Sequence, residues 1–182
     1  MTVARSGSKF FHSLMDGHPQ VICFPRKLKF CSFWRRVSNN RENPIAMIDI
    51  FIEMNPHFFS GTCWYKVNKY ERADELGPEM NETFSVDIEI FRQKAMSLLK
   101  DKEISRATMF LVLHFAYCLA TKKQIPEEPL IFYHIHDVAL EEELQACVND
   151  FPRTQVLVMT RNPLQSLNSV VKWMEMHNKV SP

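Results

Sequence analysis

The stretch Thr2–His18, TVARSGSKFFHSLMDGH, constrains this chain more than any other. A short β-like start, Thr2-Val3-Ala4, runs through Arg5-Ser6-Gly7-Ser8-Lys9 into apolar residues at helical spacing: Phe10, Phe11, Leu14 and Met15. Strand, tight loop and helix N-terminus in that order present unpaired backbone N–H groups and a positive dipole end to an anion. Gly7 lets the backbone turn closely around a ligand, Ser6 and Ser8 add hydroxyls, and Arg5 and Lys9 add charge. The loop is built for a phosphate or a sulfate. Read alone, it is equally a polar strand-to-helix turn. A Walker loop places Lys directly after its last glycine and a Ser or Thr after that. Here Ser8 follows Gly7 and Lys9 stands in the hydroxyl position, which argues against a triphosphate-binding kinase.

Downstream, apolar runs of strand length alternate with amphipathic helical patterns. Gln20–Phe24 reads as a short buried strand closed by Pro25. Arg26–Arg36, RKLKFCSFWRR, reads as an amphipathic segment with a packed aromatic face and a solvated basic one. Pro44 opens a helix to about Asn55, and Asp87–Leu99 is a second, with Ile88, Ile90, Phe91, Ala95, Met96 and Leu99 inward. Between them, residues 56–80 are irregular and dense in aromatics. Phe58, Phe59, Trp64, Tyr65 and Tyr70 fit an acceptor pocket, core packing or a lid equally well. Ser105 caps the most apolar helix, which ends at Lys122-Lys123 and is too short for a membrane span. His114 within it reads as a core histidine, since no second ligand stands at helical spacing. Leu130–Ile135 is a second strand, Ala139–Val148 a helix, Gln155–Thr160 a third strand, and Pro163 opens a helix through Trp173 to about Met176. Strand–helix alternation with short links predicts a three-layer α/β/α domain over 1–182 around a central parallel sheet. Ligands of such sheets gather at the carboxyl ends of the strands.

A chain of 182 residues, 46% hydrophobic, buries a core of ordinary size. Its net charge of +1 excludes a strong overall pull toward nucleic acid or anionic membrane. The five cysteines (Cys23, Cys31, Cys63, Cys118, Cys147) are odd in number and lack zinc-ligand spacing, so they read as free thiols of a reducing compartment. No signal peptide is legible, and the expected location is cytoplasmic, with room for a missing N-terminal anchor.

The strand VLVMT is followed by Arg161-Asn162-Pro163, with Ser166 and Ser169 on the next helix. An Arg fork with a hydroxyl about two turns further on can hold a phosphate with geometric specificity. Together the two motifs resemble a known pair. The run from Arg5 to Pro19 is similar to the 5′-phosphosulfate loop of the sulfotransferase family. VLVMTRNPLQSLNSVV is similar to that family's 3′-phosphate motif, a strand followed by R-x-P-x(5)-S. The resemblance spans Thr2–Trp173 and implies a P-loop-like sulfotransferase fold without a metal. It implies that the donor is 3′-phosphoadenosine-5′-phosphosulfate (PAPS) and the acceptor a hydroxyl or amine of a carbohydrate, lipid or small molecule. By position, Arg5, Ser6, Gly7, Ser8, Lys9 and Phe10 would hold the 5′-phosphosulfate, and Arg161 and Ser169 the 3′-phosphate.

In many members the second strand ends K-T-H or K-T-P, where this chain has His134-Ile135-His136-Asp137. His136 matches the family's histidine and is the first candidate for the base that takes the acceptor proton, with Asp137 to orient it. His134, His18 and Glu53 compete for that role, and Arg5 would stabilise charge on the transferred group. Lys9 departs from the usual Ser or Thr, and His134-Ile135 from Lys-Thr. Relatives also continue beyond the helix that carries Ser169, so the resemblance implies a chain cut short at its C-terminus and at the start of its first strand. The alternatives are a catalytically inactive nucleotide-binding or interaction domain of the same fold and, more remotely, a P-loop kinase.

Overall fold

Helical periodicity becomes helix nearly everywhere the sequence carries it. The structure, a computed structural model, describes residues 7–16, 18–63, 76–121, 123–134, 140–159 and 162–178. In chain order the elements are α1 (Ser8–Met15), β1 (Val21–Ile22), α2 (Phe30–Val37), α3 (Pro44–Met54), α4 (Ile88–Leu99), α5 (Arg106–Ala120), β2 (Leu130–Ile131), α6 (Leu140–Asp150) and α7 (Pro163–Asn178). Single 3-10 turns occupy Pro56–Phe58 and Gly61–Cys63. The protein is mixed α/β and mostly helical, with a small two-stranded parallel sheet. It forms two compact units, Met1–His18 with His134–Pro182, and Pro19–Tyr133.

In the Pro19–Tyr133 unit, α4 and α5 pack together most extensively, α3 lies on α4 and α2 on α3. Three of the unit's four described helices, all but α2, start where the sequence supplies an acceptor. Asn43 accepts from Ala46 N–H, Asp87 from Glu89 and Ile90 N–H, and Ser105 from Thr108 N–H. Their apolar stripes meet in an aromatic cluster. Phe51 is fully buried, with its ring 5.4 Å from Phe33, 5.5 Å from Phe24 and 5.8 Å from Phe91. Polar atoms drawn into this core find partners: Tyr117 Oη donates to the Phe58 carbonyl at 2.7 Å and Asn55 Nδ2 to the Phe51 carbonyl at 2.8 Å. At the margin, Arg92 joins α4 to α3 through Asp49, at 2.7 Å, and also pairs with Glu89 on its own helix.

The two strands pair in parallel with Val21 opposite Leu130 and Ile22 opposite Ile131. Leu130 N–H donates to Gln20 O, and Phe132 N–H to Ile22 O. Both strands are shorter than the apolar runs Gln20–Phe24 and Leu130–Ile135 predict. Phe24 is nonetheless buried, stacked on Phe58 at 4.7 Å, so the run supplies core packing beyond the ladder. The third expected strand is not formed across its described residues. Gln155–Met159 carries no regular structure, and Val156, Leu157 and Val158 are more than half exposed. A parallel strand needs backbone partners beside it, and no described residue bonds to this segment. Thr2–Ala4 lies outside the described residues.

Other expectations meet the coordinates more closely. α2 buries Phe30, Phe33 and Val37 and exposes Arg35 and Arg36, the division its sequence predicts. Phe58 and Phe59 belong to the core and not to a pocket, while Trp64, Tyr65 and Tyr70 lie outside the described residues. His114 is a core residue. Its Nδ1 lies 2.7 Å from the Phe110 carbonyl, and its ring meets Phe24 edge-on at 4.7 Å. None of the described helices is long and apolar enough to cross a membrane.

Candidate anion-binding site

The Gly7–Ser8 corner in the first unit adopts the conformation its sequence demands. Gly7 is the residue before α1, with φ 93° and ψ 7°, in the left-handed region that side chains with a Cβ resist. Its carbonyl accepts from Phe11 N–H at 3.0 Å, closing the first turn. No side chain caps this end of the helix. The N–H groups of Ser8, Lys9 and Phe10 therefore have no intrahelical acceptor and, among the described residues, no side-chain oxygen in place of one. Ser8 is buried at the corner, and the Phe10 side chain points outward at 68% exposure, so Phe10 offers the site its backbone rather than its ring.

The start of α7 is organised in the opposite way. Asn162 Oδ1 accepts from Leu164 N–H at 3.0 Å and from Gln165 N–H at 3.4 Å, and its carbonyl accepts from Ser166 N–H. In Arg161-Asn162-Pro163 the middle residue is thus the cap, a task assigned above to Pro163 alone. The signal was present in the sequence, since Asn before Pro at a helix start is a cap pattern. With its first amides occupied, α7 offers an anion its side chains only. Ser169 is partly buried, one turn beyond Ser166 on the same face. Ser166 is 2% exposed and its hydroxyl has no hydrogen-bond partner, an arrangement that costs about 1–3 kcal/mol unless a ligand or water completes it. Ser166, one turn before the expected Ser169, is the residue sequence reasoning passed over.

Two contacts draw the sequence motifs together within this unit. A Cβ built on Gly7 would meet Met159 Cε at 3.8 Å, which sets the segment leading to Arg161 against the loop glycine. The His12 ring lies 5.5 Å from that of His134, which brings the His134 segment to the buried side of α1. Arg5, Ser6, His136, Asp137 and Arg161 lie outside the described residues, and Lys9 is placed through its backbone in α1. Of the competing bases, His18 is exposed in the turn after α1 and Glu53 is exposed on α3. Because Met159 stands at ordinary contact distance, strain and not space governs substitution of Gly7. Gly7→Val is expected to cost about 1–2 kcal/mol and Gly7→Asn less than half of that, read as shifts in the urea midpoint. Equal costs would mean that the left-handed turn is not held in solution.

No protein-family model matches the chain, and no curated protein or solved structure is significantly similar to it. What the corner can do rests on its own chemistry. An uncapped first turn behind a left-handed glycine suits a ligand rich in anionic oxygens, and the incomplete Ser166 hydroxyl is a further donor on α7. Among the described residues no group of three or more His, Cys, Asp or Glu stands ready to hold a metal ion. The second unit contributes one perturbed histidine that sequence reasoning did not single out. Burial, and secondarily the Arg26 guanidinium, push His57 down to about 4, so it is neutral at neutral pH.

Proposed function

We propose that the chain is a sulfotransferase of three-layer α/β/α, P-loop-like architecture that transfers the sulfuryl group of 3′-phosphoadenosine-5′-phosphosulfate to an acceptor hydroxyl or amine. The observation that carries the reading is the uncapped start of α1 behind the left-handed Gly7, set against Met159 two residues before Arg161. The donor supplies an activated sulfuryl group on a phosphate leaving group. The residues of the chain bind and orient it. The amides of Ser8, Lys9 and Phe10 with the cations Arg5 and Lys9 would hold the 5′ end, and Arg161 with Ser169 the 3′-phosphate. Ser166 Oγ, buried and incomplete, adds a hydroxyl on the Ser169 face. Preorganised donors of this kind favour charge as it builds on the transferred group and on the leaving oxygen. His136, with Asp137 beside it in sequence, is the proposed base for the acceptor proton, and His134 its alternative.

Calorimetric titration of the full chain with 3′-phosphoadenosine-5′-phosphate, against ATP with Mg²⁺, tests the donor site. The bisphosphate is expected to bind and ATP not to. Arg161→Ala should weaken the bisphosphate at least about tenfold, near 1.4 kcal/mol, and leave adenosine 5′-phosphate almost unchanged. Equal loss for both nucleotides would sink the assignment of Arg161 to the 3′-phosphate. Donor binding without transfer to any acceptor would favour the inactive nucleotide-binding domain, and tight ATP binding the kinase.

A further inference from the structure

Residues 26–43 carry six cations (Arg26, Lys27, Lys29, Arg35, Arg36, Arg41) against one carboxylate, Glu42, in a chain whose net charge is +1. The basic residues are therefore concentrated in one segment of the Pro19–Tyr133 unit, α2 and its flanks. Arg35, Arg36 and Arg41 are all exposed, and among the described residues none of them is paired with a carboxylate. Two of them are held in place by their own backbone. Arg35 Nε donates to the Cys31 carbonyl at 3.4 Å and Arg41 Nε to the Ser38 carbonyl at 3.0 Å. Arg41 also lies over the Trp34 ring, 5.2 Å from its centroid. Bonding through Nε leaves the two terminal amino groups of each guanidinium without a carboxylate partner among the described residues, the fork that suits sulfate and carboxylate. Beside them lies an open depression of about 380 Å³ lined by residues 38–43, whose side chains are serine, asparagines, Arg41 and Glu42.

We propose that this face, formed by Arg35, Arg36, Arg41 and the asparagine-lined depression after α2, binds an anionic polysaccharide. The arginine forks hold sulfate or carboxylate groups, and the side-chain amides of Asn39 and Asn40 meet sugar hydroxyls. Nucleic acid fits less well, because single strands need open aromatic platforms. Here Phe30 and Phe33 are buried and Trp34 is covered by Arg41. An anionic lipid surface would meet the charge of these arginines but gain no apolar insertion, because the apolar stripe of α2 faces the core. An acidic peptide would meet the same arginine forks, but the depression beside them offers its side chains polar partners alone. The surface lies wholly within one unit and does not depend on the donor reading.

The test titrates the full chain at about 0.15 M salt with a heparin oligosaccharide and an oligogalacturonate of matched length. Neutral dextran, single-stranded DNA, a polyglutamate peptide and phosphatidylserine vesicles are the comparison probes. The Arg35→Ala/Arg36→Ala/Arg41→Ala variant should bind heparin at least about tenfold more weakly. A charge-matched triple at other exposed positions, Lys94→Ala/Lys100→Ala/Lys102→Ala, should change it by less than about threefold. Arg36→Ala, which removes a side chain without a bonded partner among the described residues, should cost part of the affinity with the thermal transition unmoved. Binding of both polysaccharides identifies the shared anionic chemistry, and binding of heparin alone identifies sulfate. Equal losses in the two triple variants, tighter binding of DNA, peptide or vesicles, or no binding of either polysaccharide by the folded chain would overturn the proposal.

Discussion

Phe51→Ala is expected to remove about 4 kcal/mol of stability, a large share of what a chain of this size possesses. Phe51 stands on the inner face of α3 at zero exposure, and its ring meets those of Phe24, Phe33, Phe58 and Phe91. Truncation to Ala forfeits the transfer free energy of a full aromatic ring and leaves a cavity whose walls come from β1's flank, α2, α3 and α4 together. Those elements are fixed by their own contacts, so the cavity cannot collapse by moving one side chain. Phe51→Leu should cost roughly half as much, since most of the volume is retained. Phe10→Ala, at a residue 68% exposed, should lie within about 0.5 kcal/mol of the parent. Urea unfolding followed by circular dichroism reads all three. A Phe51→Ala loss no greater than that of Phe10→Ala would mean that this aromatic cluster is not the centre of the fold.

The contrast between Phe51 and Phe10 also shows what was legible in the sequence. Helices with a full apolar stripe and a capping residue were readable almost to their ends. Pro44–Met54, Ile88–Leu99 behind Asp87 and Arg106–Ala120 behind Ser105 lie where periodicity and caps place them. Strands were readable as apolar runs but not as ladders, because strand length depends on partners remote in sequence. Hence Gln20–Phe24 contributes Val21 and Ile22 to the sheet and Phe24 to the core. Gln155–Met159, apolar enough for a buried strand, lies with Val156, Leu157 and Val158 exposed and no hydrogen-bond partner among the described residues. In the candidate site, the tight turn at Gly7 before the helix was readable, and the structure adds that Gly7 makes it in the left-handed region, at φ 93°. The incomplete hydroxyl of Ser166 was not, because burial of one helix face is a property of what packs against it. The motif spacing selects Ser169, whereas in the fold it is Ser166 whose hydroxyl is buried and incomplete.

His114 should make the protein lose about 3 kcal/mol of stability as the pH falls from 6.5 to 4. Its imidazole is fully enclosed by α5 and the aromatic cluster, and burial lowers its pKa to about 4, partly opposed by the bond to the Phe110 carbonyl. That carbonyl can only accept, so Nδ1 carries the proton and the ring is the neutral Nδ1–H form. In the unfolded chain the same group titrates near its ordinary 6.5. Between the two values the unfolded state binds a proton that the folded state refuses. Stability is therefore intact above pH 6.5, declines through the window and levels out below about 4. His57 pushes in the same direction from the same unit, but its partial exposure screens the effect. The discriminating variant is His114→Phe, which keeps ring contacts with Phe24 and Phe110 and cannot titrate. Its absolute stability will shift, because a six-membered ring must fit and the bond to Phe110 is lost. Its pH dependence is the readout. Urea midpoints at neutral pH and near pH 4.5 should converge in His114→Phe and separate in the parent. Equal slopes in the two proteins would show that His114 is protonated in the fold, and that the water-excluding core does not extend to it.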